Sequence, residues 1–256
     1  MSNVAHLREG KIPMKGVHTL GMVVVGALLT VTVPVAPVHA TAWDSDIDTL
    51  MRFTPESTRT DVIEGVESLA GQRHESPEQT AEFLVAEVTR EARESGFGSS
   101  STRSSSSSSG RCPTHALDAN HRGDIMWTAA GPAGTTAWNH VALYTEPRLL
   151  TEAPGVGKNT RRIHPKEKCV SRNWGRYGLK GIPWSAREKA KTWAYAHLNR
   201  PYKKQFWNNK KIEDTHYNCS QFVWAAYKIS GYDLDSDGGP GVYPDDIRNS
   251  RYLVHY

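Results

Sequence analysis

At 256 residues with a formal net charge of +4, the chain has room for one sizeable core and little more. Its charge is split: residues 41–110 hold 6 Lys/Arg against 13 Asp/Glu, a net of −7, and residues 111–256 hold 22 against 13, a net of +9. A basic half suits an anionic partner, and no nucleic-acid-binding motif is present, so nucleic acid is not the expected one.

Residues 1–40 have the form of a secretion signal. Lys11 and Lys15 make a basic start, Leu20 to Val33 is apolar, and Val38-His39-Ala40 offers a small-residue cleavage site. Met14 is an alternative start to Met1. The apolar run falls short of the ~20 residues of a membrane span, and Pro34 and Pro37 oppose a continuing helix. No second long apolar stretch follows, so the expected product is secreted, with no stable membrane span.

Residues 41–95 read as a small helical segment, accessory or propeptide. Val62, Ile63, Val66 and Leu69 repeat at helical spacing and stop at Gly71. Ser76-Pro77-Glu78-Gln79 is a capping box opening a second helix with the stripe Phe83, Leu84 and Val88. Two such helices bury little alone, so docking on the basic half is expected. The serine-dominated stretch within residues 96–110 reads as a linker.

From Arg111 the pattern becomes mixed. Gly123 to Trp127, Trp138 to Tyr144 and Leu149 to Ala153 read as strands, with His140, Ala142 and Tyr144 on one face. A hairpin loop at Thr145-Glu146-Pro147 sets His140 directly opposite Glu152; a one-residue slip sends Glu152 to the other face. Ser185-Ala186-Arg187-Glu188 is a second capping box, opening a helix with Ala190, Trp193, Ala194 and His197 along one side. Asp233 to Gly241 has a calcium-loop-like composition without the ordered spacing of an EF-hand, and reads as a polar loop. No zinc spacing exists; neither a metal nor another cofactor is expected.

Cys219 carries the chemistry. Asn218 is a good N-cap, apolar Phe222, Val223, Ala226 and Ile229 follow at helical spacing, and Gly231 ends the run. A thiol in the first turn meets unpaired N–H groups and the helix dipole, both favouring thiolate. An ordinary thiol of pKa about 8.5 is already a few per cent ionised at neutral pH, so full ionisation gains only about 30-fold. A positioned base and an oxyanion site must supply the rest. His140 is the base, Glu152 holds its imidazole, and the Cys219 N–H is an oxyanion donor; His216, three residues before Cys219, is a rival base. A buried packing cysteine is the plain alternative.

The pieces GDIMW, NHVALY, Thr151-Glu152-Ala153, Arg200-Pro201-Tyr202, YNCSQFVWAAY and YPDDI, in that order, resemble the YiiX/YebB-like permuted papain-fold cysteine hydrolases, a branch of the NlpC superfamily of cell-wall hydrolases. The resemblance spans most of residues 111–256; the long basic segment Lys158 to Trp184 departs from it. It implies an α+β fold, with an antiparallel sheet packed against helices. It also implies Cys219 as nucleophile, His140 as base and Glu152 as orienting residue. The implied reaction is amide cleavage through a thioester, with wall peptide as the expected substrate. A lipid or ester acyl group, or a non-catalytic wall-binding module, are the alternatives. Of the three cysteines, Cys112 and Cys169 are expected to pair, leaving Cys219 reduced.

Overall fold

Strand β3 (His140–Glu146) is buried along nearly its whole length, which makes it a central strand. In the computed structural model it pairs with β2 (Ile125–Thr128) and β4 (Leu149–Glu152) in a six-stranded antiparallel sheet. The sheet is completed by β5 (Arg161–Ile163), β7 (Trp174–Leu179) and β8 (Leu253–His255), in the order β5-β4-β3-β2-β7-β8. A two-stranded ribbon pairs β1 (Thr114–His115) with β6 (Cys169–Val170). The structure describes residues 43–54, 57–95, 112–129 and 138–256, and the expected secretion signal and serine linker lie outside them.

Alternation along the strands divides the core. Ile125, Trp127, Val141 and Leu143 pack against α4 (Trp184–Ala196) and α5 (Cys219–Lys228), whereas Met126, Ala142, Tyr144 and Leu150 pack with Ala116 and Val170 beneath the ribbon. Helix α5 is buried on every side from Cys219 to Tyr227, not on the single face its spacing suggested. Trp224 and Ala225 on its far side also enter the same core as Leu234 and Val242. Only beyond Lys228 does the chain surface: Ile229, expected inside, is 48% exposed.

The Gly123-Asp124 pair anchors this arrangement. Gly123 has φ +89°, and a Cβ there would meet the Tyr227 hydroxyl at 2.6 Å, so a side chain is excluded at that turn. Tyr227 donates to the Gly123 carbonyl at 2.6 Å. Asp124 is buried and accepts from the His121 N–H (2.9 Å) and the Tyr256 hydroxyl (2.8 Å).

Among the described residues the N-terminal half holds three helices rather than two: α1 (Asp44–Phe53), α2 (Arg59–Arg73) and α3 (Pro77–Ser95). Helix α2 runs through Gly71 and ends where His74 turns left-handed at φ 57°. The Ser76–Gln79 capping box forms in both directions, at 3.1 and 3.2 Å. Ser185 caps nothing, because α4 begins one residue earlier, behind Pro183. Leu84 and Val88 are fully buried, but Phe83 lies at the surface under Arg73. These helices share a core with Trp138, Phe206, Trp207 and Tyr243 of the basic half, so the docking is apolar first. Charge contributes at its rim, where Arg90 pairs with Asp237. Among the described residues no helix is long and apolar enough to cross a membrane.

Candidate functional site

Three elements converge on Cys219. The Asn218 side chain accepts from the Gln221 N–H at 2.9 Å, which caps α5 and sets Cys219 in its first turn. The backbone N–H groups of Ser220 and of Val141, the second residue of β3, act on the sulfur there and favour its charged form. His140 opens β3, and its Nε2 lies 2.8 Å from Glu152 Oε2. Its Nδ1 has no hydrogen-bond partner among the described residues, and the Cys219 side chain is the other group that acts on the ring, favouring its charged form. All three residues are buried: Cys219 is 1% exposed, His140 4% and Glu152 0%.

Burial pushes the Cys219 thiol up, but the hydrogen bond and charge of His140 and the two backbone N–H groups outweigh it, so its pKa is lowered. For His140, burial and the Lys168 charge act downward, yet the bonds to Cys219 and Glu152 prevail and the pKa is raised. The shifts are complementary: proton transfer from sulfur to ring yields a thiolate–imidazolium pair.

Glu152 makes the imidazolium tolerable. Arg161 lies directly across from it on β5 and grips Oε1 with two nitrogens, at 3.0 and 2.9 Å. Lys168 reaches Oε2 at 2.6 Å. Burial alone would raise this carboxyl, but Lys168, His140 and their hydrogen bonds hold it far below the usual carboxylate range. Lys168 immediately precedes Cys169, which is bridged to Cys112 as expected, and its carbonyl accepts from the Ala116 N–H at 3.0 Å. The disulfide thus pins the ribbon that delivers the lysine.

The pairing of β3 with β4 differs from the expected one. Pro147 and Arg148 form the turn, a bulge falls at Thr145, and Tyr144 faces Leu150 instead of Arg148. The two-residue shift keeps Glu152 on the His140 face. Arg161 and Lys168 were not singled out from sequence; their signal was the basic run Lys158 to Trp184, since a buried carboxylate requires nearby cations. His216 is exposed and bonds Thr215 at 2.9 Å. The Tyr217 hydroxyl is engaged by the Asp214 N–H and the Ile212 carbonyl, at 2.7 and 3.0 Å.

A cleft of about 530 Å³ is lined by Val156, Lys158, Tyr202, Lys203, Lys204 and His216, among others. Tyr202 and Val156 pack into the core cluster that contains Cys219.

No protein-family model matches the chain. It is similar to the uncharacterized protein YycO of Bacillus subtilis (strain 168), 28% identical over 232 residues that cover 86% of this chain and 89% of that one. Among solved structures it is similar to the metalloprotein YiiX of Escherichia coli O157:H7, at 16% identity and a TM-score of 0.39, over 53% of this chain and 96% of that one. A likeness that distant carries no argument about the site.

Proposed function

We propose that the chain is an exported cysteine hydrolase of the permuted papain-like type, acting on amide bonds through a thioester. The observation that carries this reading is the buried series Cys219, His140 and Glu152, in which Glu152 holds the ring at 2.8 Å and Cys219 and His140 act on each other, lowering the thiol and raising the ring. Cys219 thiolate adds to the acyl carbon, and the His140 imidazolium gives its proton to the leaving amine, leaving a thioester. His140 then takes a proton from water, whose oxygen displaces the sulfur and releases the acid. The backbone N–H of Cys219 at the helix start is the oxyanion donor. Glu152 keeps the ring oriented and stabilises its charged form.

The substrate proposed is a stem or crosslink peptide of the bacterial wall. In the cleft, Lys158 offers a cation to a carboxylate-bearing peptide, while Lys203 and Lys204 pair with Asp214 and Asp61. The Cys112–Cys169 disulfide is compatible with an extracellular setting, the one in which that polymer is met.

The test is hydrolysis of a panel of muropeptides and acyl esters by wild type and Cys219→Ala, with folding checked by circular dichroism. Amide cleavage lost in the variant supports the reading. Turnover of esters alone redirects it to an acyl hydrolase or transferase, and turnover that survives in Cys219→Ala overturns it.

A further inference from the structure

Helix α3 meets α6 (Pro244–Asn249) and the loop before it through a group of acids. One carboxylate oxygen from each of Glu91, Asp237 and Asp246 lies within 4.8 Å of the others. Oxygens that ligate calcium at 2.3–2.6 Å are spread over a sphere about 5 Å across, so this spacing fits one ion between them. Glu91 and Asp246 are 1% and 3% exposed, which separates them from ordinary surface acids.

A second observation is independent of that trio. Glu87, one turn before Glu91 on α3, is 7% exposed, and its Oε1 has no donor among the described residues. Its charged neighbours are Asp237, Arg90 and Asp246. The Tyr243 hydroxyl, 1% exposed and likewise without a partner, feels the charges of Glu87, Glu91 and Asp246. The neighbouring cations form ion pairs with only part of this group. Arg90 pairs with Glu91 and Asp237, and Lys210 with Asp235. Glu87 and Asp246 make no ion pair among the described residues. A buried carboxylate lacking counter-charge is costly, and a cation at this point supplies it.

We propose that Glu91, Asp237 and Asp246, backed by Glu87, bind a calcium-class divalent cation that ties α3 to α6. The donors are all oxygens, which selects a hard cation over zinc. They come from α3, α6 and the loop before α6, so no ordered calcium-loop spacing appears. The ion would also brace the catalytic strand indirectly: Asp245, next to Asp246, accepts from Asn139 at 2.7 Å, and Asn139 precedes His140.

The experiment uses the full chain stripped with EDTA and titrated with CaCl₂ alone, followed by calorimetry and thermal melting. One Ca²⁺ bound per chain, with a Tm rise of several degrees, is the expected result. Asp246→Asn and Glu87→Gln should abolish or weaken that response while melting no lower than wild type in EDTA, since each removes a buried like charge. Cys219→Ala should bind as wild type does, which separates this site from the hydrolase reading. Absence of heat and of a Tm shift with Ca²⁺, Mg²⁺ and Mn²⁺ up to about 5 mM, above the weakest calcium modules, overturns the proposal. An unchanged response in Asp246→Asn overturns it as well.

Discussion

His140 and Glu152 meet at 2.8 Å although they are not cross-strand partners. The observed pairs Leu143–Thr151 and Tyr144–Leu150 extend to put Glu152 opposite Ala142, diagonal to His140. Side chains on a strand alternate with period two, so an offset of two residues preserves the face while an offset of one would reverse it. The contact therefore depends on the parity of the hairpin more than on its length.

The carboxylate at this contact is shared by three basic side chains, and removing it should be felt as lost stability. Glu152→Gln leaves Lys168 buried without its partner, at a cost of about 3–5 kcal/mol. Glu152→Gln/Lys168→Met should recover part of that loss in urea unfolding, whereas activity should stay low in both.

Acid should act through the same group. Its folded pKa is depressed, so the stability it contributes is complete above the unfolded value of about 4.3 and is lost as pH falls through the folded value. Wild type should lose this increment below about pH 4, and the double variant should lack it. Melting temperatures across that range, read for both proteins, check the sign.

Thiol reactivity should report the Cys219–His140 pair directly. Because the thiol is lowered and the ring raised, alkylation by iodoacetamide should persist well below the ordinary thiol pKa of about 8.5. In His140→Ala, burial is left to act on Cys219 and the acid limb of the rate profile should move up. Coincident profiles for the two proteins would remove the ion pair from the mechanism.

The Cys112–Cys169 bridge closes a sequence separation of 57 residues, worth about 4 kcal/mol in the chain-entropy account. Cys112→Ser/Cys169→Ser should therefore melt lower. If the bridge also positions Lys168, as the ribbon geometry indicates, the double serine variant should shift the pH profile of Cys219 alkylation too.

The N-terminal helices cover Trp138, Phe206 and Tyr243, so deleting residues 41–98 uncovers apolar surface. A lower Tm with no gain in turnover is the expected outcome; higher turnover would reveal an inhibitory segment instead. Trp138→Ala tests the same interface without truncation and should cost about 3–5 kcal/mol, since Trp138 is 2% exposed.

Much of this was legible in the chain because it rests on local rules. Asn218 before Cys219, the period-two run from His140 and the Ser76 capping box each encode their own geometry within a few residues, and each forms. The mixed α+β class with an antiparallel sheet was implied by the family resemblance, and such a sheet forms. Local rules erred where neighbours decide. Ser185 sits in a valid capping pattern but is overtaken by Pro183, and α5 shows helical spacing yet is buried all round because other parts of the chain close over its far side.

By itself, then, the sequence determined which residue types stood ready: a thiol at a helix start, an imidazole and a carboxylate on strands, two further cysteines. Tertiary structure alone decided the hairpin register, the burial of His140 beside Glu152 with His216 left at the surface, and the meeting of Glu152 with Arg161 and Lys168. The physical reason is range. Capping and strand alternation act over one to four residues, whereas the charge environment of a buried group is set by whatever the fold brings within a few ångströms, at any separation along the chain.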